Sequence, residues 1–266
     1  MNIFSRELRQ NLKGFAIWAA VLVFFVAVGT YKFTGMQGAT GEQTQQLLDQ
    51  FPRVILAAFG MAETNVMEFG GFFAMIEFYA VIIIAIYALG LGRSAVAREI
   101  TDGTAEFLFT RPVARWRVLA EKLAAALVLV AAMAACNAAA GAGAYAALDD
   151  AGVSDFPAIL AAGTAWVAIE GLFFLALGAA LGAACPRGEI AGRVCAGLLA
   201  LFYVASIAFD MFGDKADWLR WFSPIRYIGM NDVASGAVTF IGATVLAICS
   251  LILSAGAFAS FDRRDL

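Results

Sequence analysis

Two carboxylates, Glu77 and Glu170, are the residues of this chain whose type and position first suggest chemistry. Each interrupts an apolar stretch that is long enough to cross a bilayer as a helix. A charge inside a bilayer costs about 2.5 kcal/mol or more, so such residues are candidates for binding a substrate, an ion or a proton. A protonated carboxyl group that is hydrogen-bonded to a neighbouring helix would fit the same pattern. The sequence leaves both interpretations open.

Most other chemistry is excluded because the residue types that it needs are missing. The chain has no His, which excludes His-based zinc sites, Ser-His-Asp triads and imidazole bases. Its four Cys have no Cys-x-x-Cys spacing, which favours single buried thiols over a metal site or a disulfide framework. No Lys follows a Gly, so the Gly-Lys step of a phosphate-binding P-loop is absent. We therefore predict no catalytic residue, metal site or bound cofactor in this chain.

The elements that must position the two carboxylates are predicted to be membrane-spanning helices. Hydrophobic residues make up 62% of the 266 residues and charged residues 15%, at a mean hydropathy of +0.81. A net charge of −3 with mixed signs also argues against a nucleic-acid-binding surface. Because about 20 apolar residues cross a bilayer, the charged positions divide the chain into six spans. We predict an all-α integral membrane protein, a single transmembrane domain over 1–266, with spans near 14–33, 69–92, 120–147, 157–184, 190–212 and 237–260.

The distribution of Lys and Arg predicts on which side of the membrane each loop lies. Short loops rich in these residues stay cytoplasmic, and 13 of the 18 fall at the two ends of the chain and in alternate loops. This predicts that both termini are cytoplasmic. The basic start followed by an apolar run resembles a secretory signal peptide, but the run is too long and lacks a small-residue cleavage site.

Short amphipathic segments are predicted to flank the first two spans. Before the first span, apolar residues recur at helical spacing while the cations point elsewhere, which predicts an N-terminal interfacial helix or a simple topogenic anchor. On the outside, residues 42–50 and 52–59 are predicted to form short amphipathic helices. Pro52 suits the first position of the second helix, where its missing N–H is not needed.

The largest cytoplasmic loop follows the second span. From Ala95 onward an apolar stripe recurs at helical spacing opposite a charged face, until Arg111 and Pro112 end the pattern. A second, basic helix starts near Arg115 and enters the third span. A helix that lies at the membrane and is tied to two spans can transmit force from a cytoplasmic partner. A solvated connecting helix would show the same periodicity.

This loop carries the pattern Arg98-Glu99-x-x-x-Gly103-Thr104-x-Glu106-x-Leu108-x-x-x-Pro112-x-x-Arg115, with Lys122 at the start of the next span. The pattern resembles the first cytoplasmic loop of ABC-2 type transporter permeases. Three further features agree in order: a basic N-terminal elbow, a Ser-Pro-x-x-Tyr motif at 223–227 and a terminal Phe-Asp-Arg-Arg-Asp-Leu. The resemblance covers nearly the whole chain, and the loop pattern is its most specific part.

The resemblance implies a permease that pairs with a second permease, a copy or a paralogue, and with two cytoplasmic ATPase subunits. ATP and Mg would be bound by the partner ATPase, which agrees with the absence of a P-loop here. The loop would dock on that ATPase, with Gly103 allowing close approach and Pro112 keeping the linkage stiff. The implied coupling residues are Arg98, Glu99, Gly103, Thr104, Glu106, Pro112 and Arg115.

The family also places its second and fifth spans at the translocation interface. This makes Glu77 a better candidate than Glu170 for a substrate-facing group. The aromatic residues of the fifth span could line the path, and helical packing would also explain them. Gly178 and Gly182 predict close helix packing inside the subunit rather than at a dimer interface. The candidate path residues on the fifth span are Phe202, Ser206 and Phe209.

The predicted function is a permease subunit of an ATP-binding cassette transporter that exports a small molecule, a peptide or a lipid. A proton-coupled secondary transporter with Glu77 and Glu170 as its relay is one alternative. A non-transporting membrane scaffold or immunity protein is another. Membrane lipids are further expected partners, nucleic acid is not, and the expected location is a bacterial plasma membrane.

Overall fold

Six long helices dominate the computed structural model, which describes residues 3–38, 46, 48, 50–62, 64–101, 114–147, 155–185 and 187–262. Side chains are described within these ranges except at 34–38, 98–101 and 213–217. The six helices are long and apolar enough to cross a membrane. The described residues otherwise form short helices and turns, without a strand. The predicted all-α fold with six membrane-spanning helices is confirmed.

The six helices are called spans 1 to 6 in chain order. Because they alternate in direction, the beginning of span 1 and the end of span 6 lie at one end of the bundle, here called the terminal end. The other end is called the distal end. The spans are Ile3–Gly38, Phe69–Thr101, Arg115–Ala146, Phe156–Ala184, Gly188–Phe212 and Phe240–Asp262.

Shorter elements join the spans at the distal end. Helix Arg53–Ala58 precedes span 2, with Pro52 immediately before its first residue. Two 3-10 turns, Gly213–Phe222 and Pro224–Arg226, and helix Met230–Ala234 connect spans 5 and 6. The other predicted external helix, 42–50, lies mostly outside the described residues.

Spans 2 and 4 form the centre of the bundle. Span 1 packs on spans 2 and 3, span 6 packs on span 4, and span 5 packs mainly on span 2. In the most apolar stretch of each helix, 78% of the span 2 residues and 67% of the span 4 residues are buried, against 17% in spans 1, 5 and 6. Spans 1, 5 and 6 therefore offer most of their side chains to lipid or to another subunit.

Glycines explain why spans 2 and 4 can lie so close together. A Cβ atom on Gly92 would lie 2.1 Å from the carbonyl oxygen of Leu175, and one on Gly178 would lie 2.4 Å from that of Leu89. At Gly182 the corresponding distance to the Arg93 carbonyl oxygen is 3.0 Å. The backbones of the two spans are therefore in direct contact, and the Gly178 and Gly182 positions pack within the subunit, as their spacing indicated.

Spans 1 and 2 are longer than a bilayer requires. Their 36 and 33 residues extend for about 54 and 50 Å, against a hydrocarbon core of about 30 Å. The segment expected to form a separate N-terminal interfacial helix is continuous with span 1, because no Pro interrupts it and Gly14 lies in open space. Its first turn contacts span 3, where the backbone N–H of Phe4 donates to Glu121 at 3.4 Å. Whether these turns lie in the membrane interface stays a prediction.

Candidate functional site

Three spans enclose the carboxyl group of Glu77 in the distal half of the bundle. The side-chain amide of Asn137 in span 3 donates to both carboxyl oxygens, at 2.9 and 3.0 Å, and both side chains are fully buried. Span 4 approaches at Gly163, where a Cβ atom would lie 2.7 Å from the Glu77 Cγ. Glu77 is therefore hydrogen-bonded to a neighbouring helix, as one of the two interpretations required. Its contact with a substrate stays a prediction.

Glu170 lies near the middle of span 4 and is also fully buried. Trp166, one turn earlier on the same helix, is fully buried as well. Burial, followed by the effects of Cys249 and Glu170, raises the pKa of Tyr227 in the distal loop. The phenol thus stays protonated and donates to the Trp221 carbonyl at 2.8 Å. Glu170 therefore lies in the interior of the bundle, and its role stays a prediction.

A buried ion pair between Arg226 and Asp210 was not found by sequence reasoning. Asp210 lies in the last turn of span 5 and Arg226 in the loop to span 6, and both side chains are almost completely buried. The Arg226 Nε donates to the Ser206 hydroxyl at 2.8 Å. The guanidinium carbon lies 4.8 Å from the centre of the Phe78 ring, a cation–π distance. One side chain therefore joins the distal loop to spans 5 and 2.

Only part of this ion pair could be inferred from the sequence. Arg226 lies within the Ser-Pro-x-x-Tyr motif at 223–227, and Asp210 is one of the charges that delimit span 5. The pairing itself depends on the turns between them, which bring residues 16 positions apart into contact. No helical or strand periodicity predicts a contact of that kind.

The three path residues predicted on span 5 have different surroundings. Ser206 is fully buried and accepts the hydrogen bond from Arg226. Phe202 is half-buried, with its ring centre 6.4 Å from that of Phe174 in span 4, and Phe209 is also half-buried. Among the described side chains, no hydrogen bond joins Glu77 to any of these three. The path that they would line together stays a prediction.

A groove of about 770 Å³ lies elsewhere, between spans 3, 4 and 6. Apolar and small side chains line most of it, and none of the four predicted path residues does so. It is therefore separate from the buried polar groups described above.

At the terminal end, spans 2, 3, 4 and 6 meet in a small apolar cluster. Lys122 of span 3 is buried beside it and donates to the Ala95 carbonyl of span 2 at 3.1 Å. Arg93, also of span 2, donates to the Gly188 carbonyl in the first turn of span 5 at 3.2 Å. The end of span 2 therefore contacts spans 3, 4 and 5 directly. The cluster consists of Val96, Leu119, Ala179, Ala183, Ala257 and Phe261.

The predicted ATPase-coupling loop begins as a continuation of span 2. The helix runs without a break past Ala95 to Thr101, so the positions of Arg98 and Glu99 are helical. No helix-breaking residue occurs in this stretch, and the first Gly after it is Gly103. Arg115 is the first residue of span 3. The coupling residues Gly103, Thr104, Glu106 and Pro112 lie outside the described residues.

Comparison with known proteins assigns the chain to a family. The family model described as ABC-2 family transporter protein matches residues 1–266, the whole chain. The comparison with curated proteins finds no match. Six membrane-spanning helices agree with the family match. The chain therefore belongs to the ABC-2 transporter family and is a membrane permease of an ABC transporter.

Proposed function

We propose that this permease pairs with a second permease to form the path for export of a small molecule, a peptide or a lipid. Two copies of a separate ABC ATPase would supply the energy, and would bind the ATP and Mg. The observation that carries the proposal is the family match over the whole chain, in a sequence without a Gly-Lys pair for a P-loop of its own. The terminal end would face the cytoplasm, because most Lys and Arg lie there.

In this proposal the ATPase docks on the loop that follows span 2. Span 2 supports such a role because its helix continues to Thr101, which carries it beyond the length that a bilayer core requires. Arg98 and Glu99 on its last turn would make the first polar contacts with the ATPase. Force applied there would act on a helix whose terminal end also contacts spans 3, 4 and 5.

The surface available for a second permease and a path includes span 5. Its apolar stretch is 17% buried within the chain, and Leu201 and Val204 are exposed at 59% each. Phe202 and Phe209, half-buried on the same helix, would lie near that surface. Glu77 would act on the path from the interior, through the packing of spans 2, 3 and 4.

Co-purification tests the proposal directly. The tagged permease is expressed together with a candidate ABC ATPase subunit from the same organism, purified into lipid nanodiscs and assayed for ATP hydrolysis. Glu99→Ala and Gly103→Val should weaken ATPase binding about tenfold, which corresponds to roughly 1.4 kcal/mol. Arg117→Gln is the matched control, since Arg117 is exposed and forms an ion pair only with Glu121 of its own helix among the described contacts. Unchanged binding and hydrolysis in both loop variants would contradict the docking assignment.

A further inference from the structure

We propose that Arg93 is the positioning residue that transmits movement of the terminal end of the bundle to span 5. The proposal rests on the proposed function, because it takes the loop after span 2 to be the point where the ATPase acts. Arg93 lies eight positions before the last helical residue of span 2, Thr101. It is not among the coupling residues or the candidate path residues that were predicted from the sequence.

The contact of Arg93 with span 5 is made to the backbone. Its Nη1 donates to the carbonyl oxygen of Gly188, the first residue of span 5, at 3.2 Å. The guanidinium then lies along the next turn, where a Cβ atom on Gly192 would be 3.6 Å from Nη1 and 3.7 Å from Cζ. Since neither glycine has a side chain, the planar group can lie against the helix itself.

The other spans are packed together at the terminal end. The apolar cluster draws its residues from spans 2, 3, 4 and 6, and none of the cluster's described members comes from span 5. Gly182 of span 4 holds the Arg93 backbone at close range, and Lys122 of span 3 binds the Ala95 carbonyl. Span 5 packs on the bundle through buried residues that include Ala191 and Cys195, and the Arg93 hydrogen bond adds a directed polar contact at its first turn.

Helix electrostatics does not explain why a cation is placed here. The N-terminus of a helix carries a partial positive charge, which disfavours a neighbouring guanidinium. Glu189 in the first turn of span 5 offsets part of that repulsion. Arg93 contributes a directed hydrogen bond from a rigid, planar donor, which Lys would not reproduce because its ammonium group is a compact point charge. This hydrogen bond connects span 2 to span 5, so that movement of one helix would be passed to the other.

A spin-label distance measurement on the assembled complex tests the link. Nitroxides are placed at Trp116→Cys in span 3 and Ile190→Cys in span 5, both exposed positions, with the four native Cys replaced by Ala. Distances are recorded in nanodiscs without nucleotide and after trapping with ATP and vanadate. With Arg93 present, trapping should produce a second distance population. In Arg93→Gln that population should fall about tenfold, while ATP hydrolysis continues.

Matched variants separate this role from a general effect on folding. Arg187→Gln removes an exposed cation one residue before Gly188 and should leave the second population unchanged. Gly192→Leu displaces the guanidinium while keeping Arg93, and should reproduce the Arg93→Gln result. Gly192→Ala, whose added methyl group would make only ordinary contact, should not. If Arg93→Gln does not fold, the two Gly192 variants decide.

The possible failures are distinguishable. If trapping changes the distance equally in the parent, Arg93→Gln and Gly192→Leu, the Arg93 link is wrong and the proposed function stands. If no ATPase co-purifies, or if the parent itself shows no nucleotide-dependent change, the proposed coupling fails and the Arg93 proposal fails with it.

Discussion

Span 2 contacts span 4 and span 5 in two different ways. Against span 4, it packs backbone to backbone through Gly92, Gly178 and Gly182. Against span 5, its contacts use side chains: Arg93 donates a hydrogen bond at the terminal end, and the Phe78 ring stacks on that of Tyr203 nearer the distal end. The first contact has no side chain that could rotate away. The second is made by side chains, which can repack when span 5 moves.

This difference teaches which parts of the subunit can move. Spans 2 and 4 form a rigid pair because separating them would open a close-packed backbone contact. Span 5 has most of its apolar stretch exposed, and its contacts with span 2 are made through side chains. A permease that must open a path needs a fixed body and a helix that moves against it. Span 5 suits the moving part, and each of the following changes tests one side of the comparison.

Removal of Arg226 should have the largest effect on stability. Arg226→Met removes the guanidinium that pairs with the buried Asp210 carboxylate, which should cost about 3–5 kcal/mol. Replacing both residues, as Arg226→Met with Asp210→Leu, should restore most of the loss, because an apolar pair fills the same interior space. Unfolding midpoints of the purified permease in detergent measure both effects. If the double variant is no more stable than Arg226→Met, the remaining Asp210 charge does not cause the loss. Arg226 would then stabilise span 5 through contacts other than the ion pair.

Substitution of Gly92, in the backbone contact between spans 2 and 4, should have the next largest effect on stability. Gly92→Ala adds a methyl group 2.1 Å from the Leu175 carbonyl oxygen, which forces the two backbones apart and should cost about 3 kcal/mol. Gly90, on the same helix, has no atom within 4 Å of its Cβ position. Gly90→Ala should therefore be neutral or stabilise the helix by up to about 1 kcal/mol. Equal midpoints for the two variants would contradict the backbone contact between spans 2 and 4.

The Glu77 contact tests how polar groups stabilise the rigid body. Asn137→Ala leaves the buried carboxyl group without its amide donor and should cost about 2 kcal/mol. Glu77→Gln keeps a hydrogen-bonding partner of the same shape and should cost less. The unfolding midpoints of the two variants make the comparison. A larger loss in Glu77→Gln than in Asn137→Ala would indicate a role for the carboxyl group beyond this hydrogen bond.

The number and type of the spans could be predicted because charge is expensive inside a bilayer. Asp155 stands immediately before span 4, and Arg187 immediately before span 5. Such residues separate apolar stretches whose length permits only helices that cross the membrane. The same reasoning identified Glu77 and Glu170 as exceptional, and the structure encloses both.

The partners of those groups could not be predicted in the same way. Asn137 is 60 positions from Glu77, and the contact depends on how spans 2 and 3 pack. Arg93 is one of several cations whose distribution predicts the orientation of the chain. Nothing in its spacing predicts the hydrogen bond to the Gly188 carbonyl. The continuous helix through Ala95 was also missed, because a change from apolar to charged residues marks a membrane boundary but does not end a helix.

The distal attachment of span 5 to helix Arg53–Ala58 should show the smallest effect. The hydroxyl group of Tyr203 donates to the Ala58 carbonyl at 2.8 Å, and its ring stacks on Phe78 at 6.3 Å between centres. Tyr203→Phe removes only the hydrogen bond and should lower the free energy of unfolding by about 1 kcal/mol. Tyr203→Leu also removes the ring contact and should cost more. If Tyr203→Phe alone matched the loss in Arg226→Met, span 5 would depend on the external helix rather than on span 2 for its distal attachment, and the comparison between the two contacts of span 2 would fail at that end.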